Sequence, residues 1–228
     1  MDAIRRSYDA VAGAYAEQLS GELAGKPVDR AMYRLFAELV RADLDAGTAT
    51  GAAAPRVGDV GCGPGHVTSH LRDLGLDPVG VDVSAGMIDE ARRRFPDVEF
   101  RIGSMTEHGG LGEPDGAWAG AVSAYSIVHF DAGQRRLAFT ELARAVRPHG
   151  HLLVLFHIED AQHRPGAVIH RDQWWGHDVD LDFRLLDPAE VAADLRDVGF
   201  DLIVRTDREP WPGEAPTRRS HLVARRNR

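Results

Sequence analysis

The chain has 228 residues with 43% hydrophobic content, which suits one α/β domain with a sizeable core and leaves little room for a second catalytic domain. Its formal net charge of −8 argues against a surface built to bind nucleic-acid phosphates. A lone cysteine, Cys62, excludes an intramolecular disulfide, and no apolar run approaches the ~20 residues of a membrane span or resembles a secretory signal, so we expect a cytoplasmic protein without nucleic-acid or membrane partners.

The first 45 residues are predicted to form a helical extension. Apolar or small residues recur at helical spacing from Ala3 to Leu19, and more strongly from Val28 to Leu44. The stretch from Ala46 to Pro55 is rich in alanine, glycine and threonine and shows no periodicity, which predicts a flexible connection. We therefore expect the domain proper to span residues 56–228.

After this connection, short apolar strands alternate with helices, which predicts an α/β fold with parallel strands buried on both faces. The predicted strands are Arg56–Val60, Pro78–Val83, Val98–Ile102, Ala119–Tyr125, His151–His157, Phe200–Thr206 and Ser220–Arg225. The predicted helices run through Val67, Leu71 and Leu74, from an N-cap at Ser84 to Phe95, over Ala132–Val146, and over Asp187–Val198 with Pro188 at its first position. The polar stretch between His157 and Asp182 shows no clear pattern.

Three groups of residues, which are arginines, histidines and aromatic residues, could have either a structural or a functional role. A solvated edge strand and tail is predicted for the basic cluster Arg218, Arg219, Arg225, Arg226 and Arg228. The second group comprises His151, His157, His163, His170 and His177. Their spacing matches no metal-ligand pattern, so we expect no metal and expect these rings to be solvated or hydrogen-bonded. An apolar or aromatic substrate could bind in a pocket lined by Trp174, Trp175 and Phe183. In the alternative interpretation, one tryptophan lies in the core and the other on the surface.

The strongest local signal is a Gly-x-Gly-x-Gly turn directly after the first predicted strand. Gly61, Gly63 and Gly65 lack Cβ atoms and permit positive φ, so a ligand can lie against the backbone at the start of the next helix. The second strand ends at Asp82, whose carboxylate can accept both hydroxyls of a ribose in the crevice at the strand ends. The third glycine comes one residue too early for the dinucleotide pattern. The sequence therefore predicts a ribose-containing ligand other than a nicotinamide cofactor.

Several segments resemble the successive motifs of class I S-adenosylmethionine-dependent methyltransferases, in a bacterial small-molecule branch. These segments are Asp59 to Gly65, Gly80 to Ser84 with Met87 behind it, Gly103-Ser104-Met105, Tyr8-Asp9 with Tyr15, Lys26-Pro27 with Asp29-Arg30, and Tyr125 to His129. The resemblance implies a Rossmann-like, seven-stranded, mostly parallel sheet with an antiparallel last strand, helices on both faces, and N-terminal helices that form a lid. His149 departs from the family, where a second glycine often follows the proline of this turn.

The resemblance also implies residue roles around S-adenosyl-L-methionine. Asp59, Gly61 and Gly63 are expected around the methionine portion, within a turn that also contains Cys62 and Gly65. Asp82 is expected at the ribose, Val83 and Met87 at the adenine faces, and Ser104 with Met105 at the adenine edge. Tyr125 is expected near the methyl group. Tyr15 either touches the cofactor carboxylate and closes the pocket or simply packs its helix against the domain.

Methyl transfer from a sulfonium requires alignment and exclusion of water, and no metal. His129 follows the fourth strand and is our candidate for a general base or acceptor contact, with Tyr125 and Tyr15 beside it; the alternative for His129 is a role in holding its loop. We expect transfer to nitrogen, oxygen or carbon of a small molecule in secondary metabolism, by a monomer or homodimer. The alternatives are an RNA or protein methyltransferase, a nicotinamide-dependent oxidoreductase, or a cofactor-binding regulator without turnover.

Overall fold

The computed structural model describes residues 1–19, 21–45 and 53–228, so most of the predicted connection lies outside the described residues. The helices are α1 (Asp2–Leu19), α2 (Pro27–Asp45), α3 (His66–Asp73), α4 (Ala85–Arg94), α5 (Ala132–Ala145) and α6 (Pro188–Asp197). The strands are β1 (Arg56–Val60), β2 (Asp77–Asp82), β3 (Glu99–Ile102), β4 (Trp118–Ala124), β5 (Val146–Asp160), β6 (Val168–Trp174), β7 (His177–Arg184), β8 (Phe200–Arg208) and β9 (Thr217–Arg226). Short 3₁₀ turns cover Glu22–Gly25 and Ile127–His129.

Seven strands form one sheet in the order β3-β2-β1-β4-β5-β9-β8. The first five strands of this order pair in parallel, and β9 is antiparallel to both β5 and β8. This topology confirms the predicted sheet. Because all five parallel strands end at the same edge, the segments that follow β1, β2 and β4 meet in one crevice.

Helices cover both faces of the sheet, so successive residues of β5 lie in different cores. Leu153 packs with Phe36 of α2 and Leu71 of α3, whereas Val154 packs with Phe139 of α5 and the apolar side of α6. This two-sided burial explains the continuous apolar run of β5. Within the predicted extension, α2 is thus one of the helices that cover the sheet.

Side-chain caps fix the ends of the helices that flank the crevice. Ser84 Oγ accepts the Met87 N–H (3.1 Å) and thereby starts α4 at the predicted residue. Asp9 of α1 accepts hydrogen bonds from Ser84 Oγ (2.6 Å) and from the Gly86 N–H (2.9 Å). The N-terminus of α4 therefore holds α1 against the domain, which accounts structurally for the aspartate of the Tyr8-Asp9 segment.

The polar stretch before Asp182 forms a two-stranded antiparallel hairpin, β6–β7, which the sequence did not predict. Its turn is Trp175-Gly176, with φ values of 48° and 81°. Another local difference is at His149, which adopts a φ of 64° where a glycine is usual. Within the described ranges, no helix is both long and apolar enough to cross a bilayer.

The prediction for the C-terminal basic cluster was wrong in two respects. β9 lies between β5 and β8, so β8 is the edge strand on this side of the sheet. Arg219 is also only 2% exposed, and its guanidinium lies 3.2 Å from Glu214. Because neighbouring residues of a strand face opposite sides of the sheet, one of the two consecutive arginines at 218 and 219 lies in the interior, where a carboxylate neutralises it.

Candidate functional site

A cleft with about 650 Å³ of empty space lies at the carboxyl ends of β1, β2 and β4. Ten predicted site residues line it: Tyr15, Gly61, Gly63, Asp82, Val83, Met87, Ser104, Met105, Tyr125 and His129. Side chains that the sequence analysis did not assign to the site also line it, among them Met1, Ile4, Tyr8, Ser126 and Phe130. The fold thus brings residues from α1, the glycine turn and three strand ends to one cavity.

Two glycines of the turn have positive φ values but different surroundings. The space beside Gly61 is filled by another side chain, whereas the backbone at Gly63 is open to the cleft. Gly61 has a φ of 75°, and a Cβ there would collide with the side chain of Ser126. Gly63 has a φ of 53°, and the nearest atom to its Cβ position is in the Tyr15 ring, 3.9 Å away. A ligand in the cleft can therefore lie directly against the backbone at Gly63.

The third glycine of the turn is required for packing. Gly65 lines neither cavity described here, and its φ is 84°. A Cβ at this position would lie 2.6 Å from the Phe100 ring and 3.0 Å from the Ala91 methyl group. Its predicted place beside the ligand is therefore corrected: this glycine lets β3 and α4 approach the start of α3.

The Asp82 carboxylate is held in place by two backbone N–H groups. Its Oδ2 accepts from Gly63 (2.9 Å) and its Oδ1 accepts from Ser84 (2.9 Å). Burial raises the pKa of Asp82, and these hydrogen bonds oppose that shift. Each carboxylate oxygen has further lone-pair capacity, so Asp82 can accept two more donors from a ligand in the cleft.

A second, narrower cavity of about 440 Å³ lies on the other side of the glycine turn. Both cavities are lined by Tyr15, Gly61, Gly63, Ala124 and Tyr125, while Asp59 and Cys62 line only the second. Asp59 accepts a hydrogen bond from Thr68 Oγ1 (2.6 Å), and burial raises its pKa to about 6. Burial also raises the pKa of the Cys62 thiol, which therefore stays protonated.

The N-terminal segment supplies the charged wall of this narrower cavity. Glu22 accepts from Lys26 Nζ (2.7 Å) and pairs with His66 Nε2 (2.8 Å). The Lys26 ammonium lies 5.0 Å from the centre of the Tyr125 ring. The cation of Lys26 and the carboxylate of Glu22 therefore face a space that continues into the larger cleft.

Tyr125 is held at the junction of the two cavities by a buried ionic network. Its hydroxyl donates to Asp29 Oδ2 (2.8 Å), and Asp29 Oδ1 accepts from Arg208 (2.6 Å) and from His221 Nε2 (2.9 Å). Burial alone would raise the pKa of the fully buried Asp29, but hydrogen bonds from His221 and Arg208 lower it well below its ordinary value. No local sequence pattern indicates Arg208 and His221 as partners of Asp29, because they follow it by more than 170 residues.

His129 and Tyr8 form a hydrogen-bonded pair in the wall of the larger cleft. His129 Nδ1 lies 2.8 Å from the Asp182 carbonyl oxygen, which can only accept, so Nδ1 carries the proton. Nε2 therefore accepts from the Tyr8 hydroxyl at 2.7 Å. Burial lowers the pKa of His129 to about 4, so its ring is neutral at pH 7. The Tyr8-Asp9 segment was the sequence signal for Tyr8, although it did not indicate this contact.

The aromatic residues of the hairpin pack behind the cleft and do not line it. Trp174 stacks on Trp175 with ring centres 4.6 Å apart and meets the Tyr15 ring edge-to-face at 5.5 Å. Phe183 contacts the His129 ring at 4.7 Å. These contacts fix the tyrosines of α1 from the outside. Across the described part of the chain, no group of three His, Cys, Asp or Glu side chains is arranged to hold a metal ion.

Comparison with known sequences gives the family. Residues 57–150 match a family model described as a methyltransferase domain. A trans-aconitate 2-methyltransferase of Methylobacterium nodulans is 37% identical over 142 residues, which are 60% of this chain and 53% of that protein. A demethylmenaquinone methyltransferase of Beutenbergia cavernae is 35% identical over 115 residues, which are 50% of this chain and 45% of that protein. The chain thus spans about half the length of these curated relatives.

Comparison with solved structures confirms the fold over the whole chain. The complex of DhpI with SAH superimposes with a TM-score of 0.70 and 21% identity, covering 100% of this chain and 98% of DhpI. Residues 57–150 therefore belong to a methyltransferase domain, and the chain shares the fold of DhpI. In this methyltransferase domain, the matched region 57–150 contains both Gly63 and Asp82, which meet through the 2.9 Å hydrogen bond.

Proposed function

We propose that this protein binds S-adenosylmethionine across the two cavities and transfers its methyl group to a small molecule. The observation that carries the proposal is the pairing of Gly63 with Asp82. A bare backbone and a fixed carboxylate lie side by side where the larger cleft meets the narrower cavity. This arrangement suits a ribose with one substituent on either side.

In the proposed complex, the ribose hydroxyls donate to Asp82. The adenine lies among Val83, Met87, Ser104 and Met105, which line the larger cleft. The amino-acid portion enters the narrower cavity, where Lys26 is the cation available to its carboxylate and Glu22 is an anion available to its ammonium group. Opposite charges therefore match both ends of the amino-acid portion.

Bound S-adenosylmethionine would supply an activated methyl group on a sulfonium. The task of the protein is to align an acceptor with that methyl group at roughly 3 Å and to exclude water. Tyr15 of α1 and the network-held Tyr125 flank the junction of the cavities, so α1 serves as the lid. His129 is the proposed base, because its neutral ring lies in the same wall.

Two observations support a small-molecule acceptor over RNA or another protein. The cleft, whose empty space of about 650 Å³ includes its open mouth, would be shared between the cofactor and the acceptor, which suits an acceptor of small size. The net charge of −8 also opposes the binding of RNA phosphates, and both curated relatives are named for small molecules. We also propose a role in secondary metabolism. The functions of the genes adjacent to the gene of this protein test that role.

Isothermal titration calorimetry tests cofactor binding without knowledge of the acceptor. We expect heat with S-adenosylmethionine and S-adenosylhomocysteine and none with NAD. Asp82→Asn should weaken both affinities by roughly 10- to 100-fold, because charged acceptors make the stronger hydrogen bonds. The matched control is Asp77→Asn, at the opposite end of the same strand, which should bind as the wild type does. A folded protein that binds neither sulfur compound, or that binds NAD, contradicts the proposal.

A further inference from the structure

The wall of the larger cleft that is formed by α1 and the turn after β4 carries few polar atoms. Tyr15 and Tyr125 lie toward the junction with the narrower cavity, and the remaining side chains are Met1, Ile4, Tyr8, Ser126, His129 and Phe130. Among the described residues that line the whole cleft, Asp82 is the one charged side chain, and the proposed function assigns it to the ribose. The acceptor must therefore be recognised by apolar contact and by the Tyr8–His129 pair.

The hydrogen bonds within this pair decide which of its atoms an acceptor can reach. Both ring nitrogens of His129 are occupied, one by the Asp182 carbonyl and the other by Tyr8. The Tyr8 oxygen uses its proton toward His129 and keeps lone pairs free. Ser126 Oγ is committed to the Val60 carbonyl (3.1 Å) and to Ser123 Oγ (2.6 Å). The Tyr8 oxygen is thus the free acceptor in this part of the wall.

We propose that Tyr8 and His129 form a proton relay for an uncharged alcohol or phenol, so that the protein is an O-methyltransferase; this inference rests on the proposed function. The acceptor hydroxyl donates to the Tyr8 oxygen, and Tyr8 donates to His129 Nε2. The new C–O bond forms as the S–CH₃ bond breaks, and that electron pair stays on sulfur. The acceptor proton passes to Tyr8 while the Tyr8 proton passes to His129. The products are a methyl ether, a neutral thioether and an imidazolium ring.

The energetics of the relay are consistent with the surroundings of both residues. Burial raises the pKa of the Tyr8 hydroxyl well above 10, so Tyr8 starts and ends as a neutral phenol. The neutral His129 is a weak base, but a hydroxyl becomes strongly acidic once its oxygen is bonded to the methyl group. The charged groups that act on the pair are Asp82 and Arg171 near Tyr8, and Asp182 and Arg184 near His129.

Charge complementarity argues against acceptors that bind as ions. A carboxylate would need a Lys or Arg side chain, and an ammonium group would need a free carboxylate; neither is found among the described side chains of the cleft beyond Asp82. The relative named for trans-aconitate acts on a polycarboxylate, which this cleft does not suit. Specificity therefore differs between the two proteins despite their shared domain.

The first test compares probes of matched shape on the protein loaded with S-adenosylhomocysteine. We expect 4-nitrobenzyl alcohol to bind at least about tenfold more tightly than 4-nitrobenzoate or trans-aconitate, because an unpaired carboxylate is costly to bury. Tyr8→Phe should weaken alcohol binding about 5- to 10-fold and leave the affinity for S-adenosylhomocysteine unchanged. The control is Arg6→Gln on the exposed side of α1. Tighter binding of either carboxylate, or no binding of the alcohol to the loaded protein, overturns the inference.

The second test observes, by ¹⁵N NMR of His129, the hydrogen bond on which the relay depends. In the wild type, Nε2 should show the shift of a hydrogen-bonded acceptor nitrogen, and Tyr8→Phe should move it toward that of a free one. An unchanged Nε2 signal in Tyr8→Phe overturns the relay. Failure of S-adenosylhomocysteine itself to bind the wild type would instead contradict the proposed function, so the two failures are distinguishable.

Discussion

Acidification should destabilise the fold through buried histidines that the protein keeps neutral. Burial lowers the pKa of His129 to about 4 and that of His157 to about 3, against about 6.5 for an exposed histidine. The unfolded chain takes up protons on these rings below about pH 6.5, whereas the folded protein does so only near pH 4 for His129. Stability due to His129 is therefore present above pH 6.5 and is lost as the pH falls toward 4.

The size of this loss follows from the shift. For His129 the difference between 6.5 and about 4 corresponds to about 3 kcal/mol in full, of which about 2 kcal/mol is lost by pH 5. Asp59 acts in the opposite direction, because burial raises its pKa to about 6 and the folded protein then binds its proton more readily. The overall pH curve combines both effects, so a variant is needed to isolate His129.

The assay is urea unfolding at pH 7.5 and pH 5.0 for the wild type, His129→Gln and His177→Gln. The His129→Gln protein should be less stable at pH 7.5, but its loss of stability between the two pH values should be about 2 kcal/mol smaller than that of the wild type. The exposed His177→Gln protein should keep the wild-type difference. Equal pH differences in His129→Gln and the wild type would refute a neutral, buried His129.

Three further substitutions separate packing from binding. Gly65→Ala should lower stability by more than about 1 kcal/mol through its φ of 84° and the Phe100 contact, as measured by urea unfolding, while calorimetry shows near wild-type cofactor affinity. Asp29→Asn should cost roughly 1–3 kcal/mol in thermal unfolding, because Arg208 and His221 lose a buried carboxylate while Glu214 still pairs with Arg208. Asp131→Ala removes the capping box of α5 and should cost about 1 kcal/mol in urea unfolding without changing cofactor affinity.

Local signals explain why several residues that line the cleft could be predicted. The glycine turn, the aspartate that ends β2 and the Ser84 cap each depend on residues a few positions apart, so the sequence shows them directly. A local pattern does not, however, distinguish the two possible roles of Gly65. A glycine needed for backbone approach to a ligand and one needed for packing against Phe100 look alike in a sequence.

The remainder of the site depends on contacts between distant segments. Tyr8 and His129 are separated by 121 positions, and no local pattern relates them. The hairpin β6–β7 was missed because its turn, Trp175-Gly176, lacks the Asn or Asp that usually precedes glycine in a two-residue turn. Most residues of β6 are also exposed, so polar side chains obscure the alternation there.

The most direct test of the cofactor assignment is a crystal structure of the protein grown with S-adenosylhomocysteine. Both ribose hydroxyls should lie within hydrogen-bond distance of the Asp82 carboxylate, and the homocysteine carboxylate should lie beside Lys26. Density for the nucleoside elsewhere, with Asp82 in contact only with Gly63 and Ser84, would contradict it.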